Sequence, residues 1–100
     1  MSPNLVIDVH SNRGTYAVER FLFVPCDSTK ANLIANMIKN KTNWLTIYTP
    51  PTSTSAEYVT IPLNKAGIPS IIYETYAFEP YAQTLEQALQ IVSIVDTLIF

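Results

Sequence analysis

The sequence predicts an α/β domain with a mostly parallel or mixed sheet and flanking helices. Short apolar runs at residues 4–10, 20–24, 44–48 and 70–74 read as strands. Segments beginning near Ser28 and near Pro80 carry apolar residues at helical spacing. Strands and helices alternate along the 100 residues with no internal repeat, low-complexity tract or linker, so the chain is one unit.

The first strand, 4–10, holds the run Leu5, Val6 and Ile7, which suits a strand buried on both faces. Ser11 to Gly14 reads as a polar loop, and residues 16–18 extend or lead into a second strand at 20–24, stopped by Pro25. Asp27 or Ser28 is a good N-cap for a helix to about Lys39, with Leu33, Ile34, Met37 and Ile38 on one stripe. Lys39 and Lys41 lie near its C-terminal end, where cations suit the helix dipole. A short strand at 44–48 ends at Pro50 and Pro51.

After the hydroxyl-rich 52–55, residues 55–66 read as helical, with Gly67 as the stop and a kink or break at Pro62. A strand at 70–74 follows, then a last helix from about Pro80 to Leu98. Leu85, Ala88, Leu89, Ile91, Val92, Ile94 and Val95 cover so much of that helix's circumference that it is expected to be well buried.

The chain is 48% hydrophobic and 14% charged. A domain this short buries only about 60–65% of the surface its unfolded chain exposes. Either some of the apolar surface faces a partner, or the core is compact with ordinary scattered exposure. A net charge of −2 and scattered Lys and Arg argue against nucleic acid as a partner. No run approaches the length of a membrane span. Cys26 has no second cysteine to pair with and reads as a small buried hydrophobe.

Two positions carry chemistry. His10, the single histidine, ends the first strand, and Glu74 ends the 70–74 strand. Ligands in open α/β sheets gather beyond the carboxyl ends of strands, so both side chains are placed to converge. Asp8, two residues before His10, points to the same face and is placed to orient the imidazole.

The segment Asp8-Val9-His10-Ser11 resembles the strand-end Asp-x-His-Ser segment of the M14-type zinc carboxypeptidases. The stretch Ala66-Gly67-Ile68-Pro69-Ser70-Ile71-Ile72-Tyr73-Glu74 is similar to their late turn and strand. The related N-acyl-amino-acid deacylases, of succinylglutamate desuccinylase and aspartoacylase type, share the arrangement. The resemblance implies a partial zinc-carboxypeptidase-like fold, His10 as a zinc ligand and Glu74 as the catalytic base. It also implies arginine contacts to a substrate carboxylate, for which Arg13 is placed, and a substrate-binding tyrosine, for which Tyr58 is nearest.

The family draws its first two zinc ligands from an upstream His-x-x-Glu or His-x-x-Asp, and this chain has no second histidine. The resemblance therefore implies the C-terminal half of a longer hydrolase, with zinc in the parent, a missing N-terminal half as partner and no activity in isolation. The alternative is a non-catalytic copy of the fold that binds a partner or self-associates, as a homo-oligomer.

Overall fold

A computed structural model describes residues 3–15, 17–25, 28–51 and 59–98. Seven elements follow one another: β1 (Val6–Asn12), β2 (Phe21–Phe23), α1 (Thr29–Asn40), β3 (Thr46–Ile47), α2 (Thr60–Lys65), β4 (Ser70–Tyr76) and α3 (Tyr81–Asp96). The four strands form one mixed sheet in the order β1-β4-β2-β3. β1 runs parallel to β4, β2 antiparallel to β4, and β3 parallel to β2. The class is α/β with flanking helices.

Local chemistry accounts for the element ends. Ser28 caps α1, its Oγ accepting from the Ala31 amide at 3.3 Å. Asp27, the other candidate cap, lies outside the described residues, as does Cys26. The described helix α2 covers only Thr60–Lys65 of the expected 55–66 segment. The helix begins at Thr60, so Pro62 stands in the first turn, where its missing N–H has no intrahelical partner to lose. The earlier part of the expected helix, up to Tyr58, lies outside the described residues.

α2 ends where the sequence places its stop. Gly67, at φ +86°, donates to Asn64 O at 3.1 Å, and Ile68 donates to Leu63 O at 2.9 Å. That pair of bonds requires a left-handed residue, which glycine adopts without steric cost. Asn64 then holds the start of β4, accepting from the Ser70 amide at 2.8 Å and donating to its carbonyl at 3.0 Å.

The sheet divides the interior. On one face Ile71 and Tyr73 of β4 and Leu22 of β2 pack against Ala31, Ile34, Ala35 and Ile38 of α1 and Ile91 of α3. On the other, Ile72 joins Phe21 and Phe23, with Ile61 of α2 and Tyr48 packed against them. β4 is buried through Tyr73 because it is flanked by a strand on each side and by packed residues on each face.

β1 and β4 both run two residues beyond their expected ends, to Asn12 and Tyr76. The larger departure is α3. Its residues Leu85, Leu89 and Val92 are exposed, Val92 to 63%. A sheet covers only one stripe of a helix, and no described element lies over the opposite stripe, so apolar character there does not become burial. Among the described residues no helix is long and apolar enough to cross a membrane.

Candidate functional site

Alternation along β1 sends Asp8, His10 and Asn12 to the face that carries Ile72, Glu74 and Tyr76 of β4. The parallel register makes His10 and Glu74 direct partners. On the other side of β4, Phe21 stands opposite Glu74. Glu74 is thus set between an imidazole and a fully buried phenyl ring.

That position explains its electrostatics. Burial is the main cause that pushes the Glu74 carboxyl above its ordinary range. The charge of His10 and hydrogen bonding from Asn12 oppose the rise, and the charge of Asp8 adds to it. Its Oε2 is sealed from solvent and has no hydrogen-bond partner. Such a group holds a proton more readily than an ordinary carboxylate, which suits a group that accepts a proton and passes it on.

His10 is held by its neighbour two residues back. Its Nε2 lies 2.8 Å from Oδ2 of Asp8, both side chains being partly buried. With the proton on Nε2 donated to that carboxylate, the lone pair falls on Nδ1. A carboxylate in this position fixes the orientation and tautomer of the ring, as second-layer partners of ligating histidines do.

Asn12, which the sequence reading did not single out, is buried and fixes the exit from β1. Its Nδ2 donates to Glu19 O at 2.8 Å and to Thr75 O at 3.0 Å, while Oδ1 accepts from the Gly14 amide at 2.8 Å. Gly14 takes φ +81° in the turn so formed. Arg13 is exposed just beyond the strand and makes no hydrogen bond or ion pair to a described residue. Tyr58 lies outside the described residues. The geometry therefore brings together Asp8, His10 and Glu74, with Arg13 at the margin.

A second buried carboxylate also escaped the sequence reading. Glu79, its side chain 2% exposed, accepts from Arg20 through Nε at 2.7 Å and Nη2 at 2.6 Å, and from Thr84 Oγ1 at 2.8 Å. The guanidinium also stacks on Tyr76, 5.5 Å from the ring centroid. Both of its oxygens are engaged within the protein, so this group is a structural tie. Its one sequence signal is an acidic residue just before the proline that opens α3.

The zinc implied by the resemblance needs three protein ligands and an open position. Among the described residues no group of three or more His, Cys, Asp or Glu side chains is arranged to hold a metal ion. The described residues do not by themselves fit a catalytic zinc. An apolar cavity of about 220 Å³ lies on the opposite face, between β1, β4 and α3, lined by Val9, Tyr73, Ala88 and Val92 among others. Comparison of the chain with known families, with curated proteins and with solved structures finds no match in any of the three.

Proposed function

We propose that this chain contributes a proton-accepting carboxylate and an oriented imidazole to an amide hydrolase of the zinc-carboxypeptidase or N-acyl-amino-acid deacylase type. The observation that carries the reading is the direct pairing of His10 with Glu74, each two residues short of the carboxyl-terminal end of its strand, on two parallel strands. Glu74 takes the proton of the attacking water and passes it to the leaving amine, a role suited to a carboxyl raised by burial. Asp8 fixes the His10 ring so that Nδ1 is left as the donor atom. Arg13 offers a substrate carboxylate a planar, two-pronged contact. Further ligands and substrate contacts come from outside the described residues, so the chain alone is inactive.

The test is a zinc titration followed at the His10 ring by NMR, with an assay against peptides and N-acyl amino acids. Weak binding that shifts His10 and fades in Asp8→Asn is expected, with no turnover. A His10 ring unmoved by millimolar zinc would sink the ligand role. Turnover lost in Glu74→Gln would show a complete site and overturn the inactivity.

A second reading, a self-associating module, is favoured by the topology. β1 is an edge strand, seven residues long, with no described strand on its outer side and no proline or lysine to guard it.

A further inference from the structure

The direction of the β1 backbone groups decides how its free edge can be used. Val6 donates to Pro69 O at 2.9 Å, His10 O accepts from Thr75 Oγ1 at 3.0 Å, and Asn12 O accepts from Ala77 at 2.8 Å. The even-numbered residues thus turn their amides and carbonyls toward β4. Ile7, Val9 and Ser11 turn theirs outward, where no described strand meets them.

From these facts, and resting on the self-association reading, we infer that the outer edge of β1 pairs antiparallel with β1 of a second copy, about a two-fold axis at Val9. This register joins the whole of Val6–Asn12 to its counterpart. Val9 faces itself, and Ile7 faces the second copy's Ser11. Those are the residues with outward backbone groups, so each such pair exchanges both hydrogen bonds. Between them Asp8 falls opposite the second copy's His10, and His10 opposite its Asp8, in the closer non-hydrogen-bonded positions.

Charge selects this register over its neighbours. A slip of two residues, the smallest that keeps the outward backbone groups paired, sets Asp8 against Asp8 in one direction and His10 against His10 in the other. Only the register centred on Val9 alternates carboxylate and imidazole both along and across the strands. Glu74, beside His10 on β4, adds a further negative group to the same face. Two-fold symmetry requires a self-complementary patch, and the sequence Asp-Val-His is one when read antiparallel.

The opposite face agrees. Val9, 60% exposed, projects on the α3 side and shares a cavity wall with Val92. Leu85, Leu89 and Val92 form an exposed stripe of that helix. A continuous sheet through the axis brings this stripe beside its counterpart and covers Val9.

Sedimentation equilibrium of the intact chain, with Val9→Lys and Val9→Glu, tests the assignment, and circular dichroism checks that each variant folds. The wild type is expected to be a dimer. Each variant alone sets like charges against each other on the axis and weakens association at least about tenfold. An equimolar mixture of the two is expected to form a heterodimer as tight as the wild type or tighter. A wild type monomeric at millimolar concentration overturns both self-association and this interface. A wild-type dimer that tolerates Val9→Lys, or variants whose mixture regains nothing, overturns this interface and leaves self-association through another surface.

Discussion

Arg20 and Glu79 are 59 residues apart in sequence, yet Arg20 Nη2 stands 2.6 Å from Glu79 Oε2 with the carboxylate almost fully enclosed. The pair ties the entry of β2 to the turn between β4 and α3. Enclosed ion pairs are weak sources of net stability, but breaking one leaves an uncompensated charge. Arg20→Met is expected to cost about 3 kcal/mol in urea denaturation. Adding Glu79→Leu should recover more than half of that loss. A single variant as stable as the wild type would show that solvent replaces the guanidinium.

Glu74 gives a pH dependence of defined sign. Its folded value is raised above the ordinary 4.5, mainly by burial, so the folded state keeps a proton that the unfolded chain has released. Stability therefore falls as pH rises from the ordinary carboxylate range through the raised folded value. Glu74→Gln removes the ionisable group, and about 1 kcal/mol of added stability at neutral pH is expected. The advantage should vanish in acid, where the wild-type carboxyl is protonated in both states. Denaturation of both proteins at the two pH values decides it, and a variant less stable at neutral pH would mean that the carboxylate is paired.

Asn12 satisfies three backbone groups at once. Asn12→Ala leaves two carbonyls and an amide without it, for an expected loss of about 2–3 kcal/mol. Thermal denaturation would show this as a drop of roughly 10 °C or more for a domain this size. A much smaller loss would mean that water enters the turn.

Tyr73 is 2% exposed and its hydroxyl has no hydrogen-bond partner. Tyr73→Phe deletes only that hydroxyl, so stability should rise by up to about 1 kcal/mol. The phenol is pushed up to about 12 by burial first and by Glu79 second, with Arg20 opposing. An ultraviolet difference titration between wild type and variant should show no ionisation of this residue at about pH 11, a unit above the ordinary phenol value. Ionisation there in the folded protein would place the hydroxyl in water.

The α/β class and most helix and strand positions were legible because apolar periodicity, Ser28, Pro80 and Gly67 act locally. The strands carrying His10 and Glu74 were legible for the same reason, though each runs two residues further than its apolar run. Their direct pairing was not, since it depends on β4 returning between β1 and β2, and no local pattern encodes strand order. Arg20 and Glu79 were missed because their contact spans the chain with no spacing signal. The expected burial of α3 failed at Leu85, Leu89 and Val92 because helical periodicity shows which residues are able to be covered, while only topology shows what covers them.

The central place of β4 also sets the order of assembly during synthesis. β1 and β2 are not neighbours in the sheet, and each meets β4 as a partner. Until Ser70–Tyr76 has left the ribosome, β1 has no described strand of its own chain to join. Val6–Asn12 therefore waits without its strand partner until β4 has been made, an interval in which chaperones are needed.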